Sequence, residues 1–179
     1  MNPAPNLVLV GPMGAGKTSL GKRLADQLGL HFTDLDQHVE AVAGAAVPVI
    51  FEVEGESGFR SREEQALAHL LRGRDALVST GGGAVLSAAN RALLRNRAYV
   101  VYLRVDVDRQ LQRLARDHSR PLLKAGDRRQ VLESLAAVRN PLYEEISDLA
   151  FDSNEATVAS AGKRILAELQ RHWQRGEAA

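Results

Sequence analysis

Gly11-Pro12-Met13-Gly14-Ala15-Gly16-Lys17-Thr18 decides the fold of this chain. The octapeptide satisfies G-x-x-x-x-G-K-[ST], a pattern that cradles nucleotide phosphates. Its glycines let successive backbone N–H groups turn inward and line a concave anion site. Lys17 adds a point charge able to reach β- and γ-phosphates, and the Thr18 hydroxyl is a ligand for Mg²⁺. The flanks agree. Asn6 to Val10 is a short apolar run expected as a buried parallel strand. Beyond the loop, Leu20, Leu24 and Leu28 recur every four residues, and Gly29 supplies a helix stop. Strand, glycine loop and helix N-terminus in that order add the helix macrodipole to the anion site. Gly14, Ala15, Gly16, Lys17, Thr18 and Ser19 are accordingly the expected nucleotide-phosphate residues.

Outward from the loop, apolar runs alternate with helical periodicity, the pattern of βαβ units around a parallel sheet. Leu30 to Asp34, Ala76 to Ser79, Ala98 to Leu103 and Leu149 to Phe151 read as further strands. Short helices are expected over Asp36 to Val42 and Val47 to Val53, parted by Ala43-Gly44. Ser57 is the expected cap of a helix reaching Arg72, with Gly73 as its stop, and Ser87 the cap of the next. Val107 to Ala115, Arg128 to Val138 and Thr157 to Gln174 complete the helices. Between Arg116 and Asp127 apolar periodicity fails, and Arg120-Pro121 and Gly126-Asp127 punctuate a loop expected to be a mobile lid.

Bulk composition narrows the class. The 179 residues fit one domain spanning 1–179, with 45% hydrophobic and 25% charged residues, as in ordinary globular chains. A net charge of +1 gives no footprint for nucleic acid or membrane. The absence of cysteine excludes disulfides and thiolate catalysis and is compatible with a reducing, cytoplasmic setting. No signal peptide or membrane span is readable. The five histidines lie at spacings that put no metal pair on one helix face. No heptad repeat or broad apolar stripe calls for a partner, so a monomer is expected.

Three constellations narrow the chemistry. Asp34 and Asp36 stand two residues apart beyond the second strand, at the edge where open parallel sheets bind ligands. Asp34 suits Mg²⁺ through water and Asp36 suits a hydroxyl nucleophile, although an aspartate before a helix also serves as a plain cap. Ser79-Thr80-Gly81-Gly82-Gly83 ends another strand, and three consecutive glycines imply a close approach of backbone to a ligand or to other backbone. The third is a set of arginines. Nine Lys or Arg face five Asp or Glu between Arg104 and Arg139. Arg104, Arg109, Arg128 and Arg129 read as a solvated face, whereas Pro121 and Pro141 fix the backbone near Arg120 and Arg139. With Arg60, these guanidinium forks suit capture of a carboxylate or phosphate. The acceptor is therefore expected to be small, anionic and hydroxylated.

At this point the chain resembles the shikimate kinase family. The likeness runs from Leu7 through the final helix. It rests on Gly11 to Thr18, Asp34-Leu-Asp36, Gly55-Glu-Ser-Gly-Phe-Arg60, Thr80-Gly-Gly-Gly-Ala84, Arg120-Pro-Leu-Leu123 and Arg139-Asn-Pro-Leu-Tyr143. The resemblance implies an α/β, three-layer P-loop kinase fold of the nucleoside-monophosphate-kinase type. Its five parallel strands would run in the order 2-3-1-4-5, flanked by helices, with an acceptor segment at about 34–62 and a lid at about 116–127. It implies phosphorylation of the 3-hydroxyl of shikimate by ATP with one Mg²⁺, on the route to aromatic amino acids. By position, Asp36, Arg60, Gly82 and Arg139 resemble shikimate contacts, with Arg60 and Arg139 on the carboxylate; Glu63, one helical turn on from Arg60, suits orienting that guanidinium. Lys17, Asp36 and Arg120 resemble the catalytic set, Arg120 as the lid arginine. Arg113 matches a position near adenine. Thr18 resembles the direct Mg²⁺ ligand, and Asp34 and Ser79 resemble residues that reach the ion through water. The Asp152 to Ala156 loop departs from the family, lacking an arginine that often contacts nucleotide there. Gluconate kinase, or another small-metabolite kinase, shares the phosphate loop and lid. A nucleotide-dependent switch without a small acceptor shares the loop alone.

Overall fold

The computed structural model describes residues 2–117, 123 and 127–176. Five parallel strands form the central sheet: β2 (Asn6–Val10), β3 (His31–Asp34), β4 (Ala76–Ser79), β5 (Ala98–Arg104) and β6 (Leu149–Asp152), in the order β3-β4-β2-β5-β6. Numbered among themselves, these strands run 2-3-1-4-5, as the resemblance implied. Two more strands, β1 (Asn2–Ala4) and β7 (Trp173–Arg175), pair in parallel outside it. The helices are α1 (Lys17–Leu28), α2 (Leu35–Ala43), α3 (Val47–Leu70), α4 (Ala88–Arg97), α5 (Val107–Arg113), α6 (Arg128–Ile146) and α7 (Val158–His172). The central strands β2 and β5 are buried on both faces and run apolar almost throughout rather than alternating, whereas the edge strands β3 and β6 are partly exposed. Leu7 and Leu9 of β2 join Leu20 and Leu24 of α1 and Ile165 and Leu169 of α7 in one core cluster. Val8 and Val10, with the opposite pleat, join Leu35, Phe59, Leu67 and Tyr143 in the other.

Local chemistry sets the boundaries. Gly29 and Gly44 close α1 and α2 in the left-handed region, and Ser87 and Thr157 cap α4 and α7 through their side chains. Asp34 caps α2, its carboxylate accepting from the Gln37 N–H. Four sequence expectations need correction. Ser57 does not cap a helix: it lies inside α3, whose two helical pieces meet at Gly55, with φ 73° and ψ −179°. Only glycine takes that conformation without strain. The α3 helix stops at Leu70, short of Gly73. Helix α6 runs on past Val138 to Ile146 with Pro141 inside it. A proline there costs a hydrogen bond and about 3 kcal/mol. Burial of Leu132, Arg139, Tyr143 and Ile146 along one face of α6 opposes that cost. Finally, Trp173 leaves α7 to start β7, where its indole Nε1 donates to the Ala4 carbonyl at 2.9 Å.

The expected lid falls almost wholly outside the described residues, Arg120 included. Within its bounds, Leu123 is buried with Leu114 and Leu132, and the Asp127 side chain accepts from the Arg129 N–H at the start of α6.

Asn6 fastens the start of β2. It is fully buried, its Nδ2 donates to the Gly73 and Arg97 carbonyls at 3.2 and 3.1 Å, and its Oδ1 accepts from the Ala76 N–H at 3.1 Å. Replacing it leaves the half-buried Arg97 carbonyl and Ala76 N–H without this partner and the Gly73 carbonyl with only the Arg97 guanidinium. Asn6→Leu should lower unfolding free energy by roughly 3 kcal/mol, measured by urea denaturation; a loss below about 1 kcal/mol would contradict this role.

Candidate active site

Strands β2, β3 and β4 end side by side, so the segments that follow them meet at one edge of the sheet. The chain connects β2 to β3 and β4 on one side, then crosses to β5 and β6 on the other, making β2 the switch point where such sheets open a ligand crevice. A cleft of about 280 Å³ lies there. Gly14, Gly16, Lys17, Thr18 and Ser19 line it from the phosphate loop, Asp34 and Asp36 from the β3–α2 junction. Arg60 and Glu63 enter from α3, Ser79 to Gly83 from the end of β4, and Arg139 from α6. Ala15 and Arg113 are not on its wall: Ala15 is buried beneath the loop, and Arg113 lies behind it. Arg120 lies outside the described residues.

Lys17 Nζ donates to the Gly11 and Pro12 carbonyls at 2.7 and 2.8 Å, which holds the ammonium over the loop. Thr18 Oγ1 donates to Asp34 Oδ2 at 2.7 Å. Asp34 is therefore both the cap of α2 and the partner of the loop's Thr18 hydroxyl. Ser79 is buried at the same edge. Three oxygen-bearing side chains, Thr18, Asp34 and Ser79, thus face the cleft beside the loop.

The triple glycine makes a close approach, but to side chains rather than to backbone. A Cβ on Gly81 would stand 2.8 Å from Asp36 Oδ1 and 3.0 Å from Glu63 Oε1. On Gly82 it would stand 3.3 Å from Arg139 Nη1, and on Gly83 only 2.2 Å from Arg60 Nη2. Two carboxylates and two guanidiniums are thus packed directly on glycine backbone. Glu63 Oε2 accepts from Arg60 Nη1 at 2.7 Å, confirming the orienting contact, and the more exposed Glu56 accepts from Arg60 Nη2 at 3.3 Å. Arg60 Nε and Glu63 Oε1 are buried without a hydrogen-bond partner among the described residues.

Burial pushes the Glu63 carboxyl up to about 7, despite the opposing pull of Arg60; the charge of Asp36 adds to the rise. Burial also lowers the Arg139 pKa, an effect that the neighbouring Arg60 reinforces and Tyr143 opposes. The Arg139 guanidinium, disfavoured by burial and by the charge of Arg60, belongs to a site that an anion relieves.

Other contacts were not foreseen. The Tyr143 hydroxyl donates to the Gly82 carbonyl; it stands one turn from Arg139 on α6, a relation visible only once the helix passes Pro141. Gln110 donates to the Met13 carbonyl at 2.9 Å. Arg128 is no solvated residue, since it donates to the Leu114 and Asp117 carbonyls at 2.9 Å each. The loop after β6 offers carbonyls in place of an arginine: Ser153 and Asn154 accept from Arg113 and Arg109 at 2.6 and 2.7 Å.

Comparison with known proteins agrees with this geometry. The family model for shikimate kinase matches residues 13–170. A shikimate kinase of Stenotrophomonas maltophilia strain K279a is 57% identical over 175 residues, covering 98% of this chain and 97% of the relative. One from Xanthomonas campestris pv. campestris strain 8004 is 51% identical, covering 97% of each. Among solved structures, shikimate kinase from Acinetobacter baumannii in complex with shikimate superposes with a TM-score of 0.91 at 43% identity, covering 94% of both chains. A gluconokinase from Sinorhizobium meliloti, at 18% identity and a TM-score of 0.55, shares the fold alone. With a matching family model over most of its length and relatives above 50% identity, the chain belongs to the shikimate kinase family.

Proposed function

We propose that this protein transfers the γ-phosphoryl group of ATP to the 3-hydroxyl of shikimate, giving shikimate 3-phosphate and ADP in aromatic amino acid biosynthesis. The observation that carries the reading is the placement of Arg60 and Arg139 on Gly81–Gly83, beside Asp36 and in the same cleft as the phosphate loop. A nucleotide switch without a small acceptor has no use for such a buried anion pocket. The unpartnered Arg60 Nε and the mutual repulsion of the two guanidiniums fit an incoming carboxylate. On this reading the acceptor carboxylate lies between Arg60 and Arg139, with Gly82 against the ring and Asp36 on its hydroxyls.

Phosphoryl transfer has a loose transition state in most analyses, so positioning and charge neutralisation outweigh deprotonation. Lys17 and the loop N–H groups of Gly14, Ala15, Gly16, Thr18 and Ser19 hold the phosphates. The acceptor oxygen forms its bond to phosphorus as the bond to the ADP oxygen breaks. Asp36 orients the hydroxyl and takes its proton late. Arg120, by resemblance, closes on the γ-phosphoryl. The oxygen donors at the cleft edge fit Mg²⁺, a hard cation: Thr18 would hold it directly, Asp34 and Ser79 through water. When bound, the ion neutralises charge on the phosphate oxygens. The reading describes one 1–179 unit acting as a cytoplasmic monomer on ATP and shikimate, with no role for nucleic acid or membrane.

Shikimate-dependent ADP production tests the reading directly. The parent should show it, and Lys17→Met should abolish nearly all of it; turnover indifferent to shikimate would refute the assignment.

Acceptor recognition has its own test. Arg139→Ala should weaken shikimate binding by tenfold or more, since hydrogen bonds to charged groups contribute roughly 1.5–3 kcal/mol each. Gly83→Ala should do likewise by expelling the Arg60 guanidinium, while ATP affinity holds. Calorimetry finding shikimate affinity unchanged in both variants would remove these residues from the site.

Glu63 predicts the pH dependence. Its ordinary value is 4.5 and its folded value about 7. Folding therefore takes up a proton between those values, and this group's contribution to stability falls as pH rises through that window. An acceptor carboxylate on Arg60 adds negative charge nearby and raises the Glu63 value further. Shikimate affinity should thus fall as pH rises through about 7, with proton uptake on binding. Calorimetry in buffers of different ionisation enthalpy should detect that proton in the parent and not in Glu63→Gln. Equal buffer dependence in the two proteins would assign the proton elsewhere.

A further inference from the structure

Helix α5 grips the phosphate loop from behind with two side chains. Gln110, 2% exposed, donates from Nε2 to the Met13 carbonyl at 2.9 Å. Arg113 donates from Nη1 to the Gly14 carbonyl, also at 2.9 Å. Three residues apart, the two lie on one face of the helix. Gly14 is seated against that face: with φ 79°, a Cβ there would stand 3.4 Å from Leu114 Cγ and 3.7 Å from Gln110 Cα. The helix is itself braced. Arg113 Nη2 reaches the Ser153 carbonyl, and Arg128 holds the Leu114 carbonyl at its C-terminal end.

A trans peptide points its C=O and N–H in opposite directions, and the described chain has no cis peptide. The Met13 carbonyl shares its plane with the Gly14 N–H, and the Gly14 carbonyl with the Ala15 N–H. Fastening both oxygens to α5 turns both N–H groups away from α5, toward the interior of the loop. Ala15 shows the outcome: its N–H is directed at the Pro12 carbonyl, at 3.3 Å, the same oxygen that accepts from Lys17 Nζ.

We propose that Gln110 and Arg113 are positioning residues for the nucleotide's phosphates, acting through the Met13 and Gly14 carbonyls and independently of the base. The proposal rests on the ATP-dependent reading above and gives Arg113 a task beyond the vicinity of adenine. Inorganic tripolyphosphate with Mg²⁺, which carries no base or ribose, separates the two. Titrated calorimetrically into the whole protein, it should bind Gln110→Met and Arg113→Met more weakly than the parent by roughly three- to tenfold. ATP should weaken by the same factor, with KM for ATP rising more than kcat falls. Arg113→Lys, which keeps one donor, should recover part of the tripolyphosphate affinity, and shikimate binding without nucleotide should match the parent throughout. Parental tripolyphosphate affinity in both Met variants would overturn the proposal, even if ATP binding weakened, since only a base contact would then be lost. Parallel loss of shikimate binding would overturn it too, as a general loosening of the fold. Should Gln110→Met not fold, the two Arg113 variants carry the comparison. A parent that binds neither tripolyphosphate nor ATP would instead sink the kinase reading.

Discussion

The space that glycine side chains do not fill at 81–83 is the constraint on which the rest of the site depends. Asp36, Glu63, Arg60 and Arg139 come from three different helices, and each comes within 3.3 Å of where a Cβ would stand. A methyl group at Gly83 would overlap the Arg60 guanidinium, and one at Gly81 would press on two carboxylates. Ordering three glycines is entropically unfavourable, by up to about 1 kcal/mol each relative to alanine. What offsets it is the burial of β4, where Leu77, Val78 and Ser79 are all enclosed just before the turn. The rigid strand end fixes the flexible residues, and they in turn fix the charges.

Those charges are arranged at some expense to one another. Glu63 is fully buried and bonded to Arg60 on one oxygen only, while the charge of Arg60 disfavours that of the buried Arg139. Such a cluster is a poor source of stability, because desolvation rivals the Coulombic gain. Stability comes from elsewhere: two apolar clusters on the faces of the sheet, divided by the pleat of β2 and β5. The exposed pairs Arg62–Glu54 and Arg129–Asp108 add little, as surface ion pairs do. Scaffold and site are thus separate in energy though joined in space, and the site keeps the imbalance that favours an incoming anion.

The legible parts of the sequence were those where local pattern and tertiary demand coincide. Asn6 to Lys17 reads directly, because buried strand, left-handed glycines and helix start each leave a local mark. The sheet order followed from the resemblance, and the Arg60–Glu63 pair from helical spacing. Elsewhere local signals misled. Ser57 has the chemistry of a cap, but Gly55 two residues earlier takes the positive φ. The helical pattern read from Arg128 stops at Val138, yet the buried face of α6 carries the helix past Pro141, and the place of Tyr143 on it is lost with the missing turns. The β1–β7 pair has three residues in each strand, too few for periodicity to register. Gln110 lies hidden among charged residues, on a helix where Arg109 reads as solvated and Arg113 as a neighbour of adenine.

That concealment has a physical basis. A residue that contacts ligand is constrained by the ligand's chemistry, so carboxylates, guanidiniums and hydroxyls stand out in a sequence. A residue that holds a backbone carbonyl needs only one N–H donor at the right distance, and glutamine, arginine or lysine can supply it. The phosphate loop needs this second kind of support because its N–H groups must converge before any anion arrives; otherwise binding would have to supply the ordering free energy. Gly14 and Gly16 give the loop the freedom to adopt that shape. Freedom alone does not select it. Lys17 fixes Gly11 and Pro12 from within the loop, and α5 fixes Met13 and Gly14 from outside. Four successive carbonyls are thereby held, and for the outer pair, Met13 and Gly14, the N–H side of the same peptide planes is the one that faces the interior of the loop.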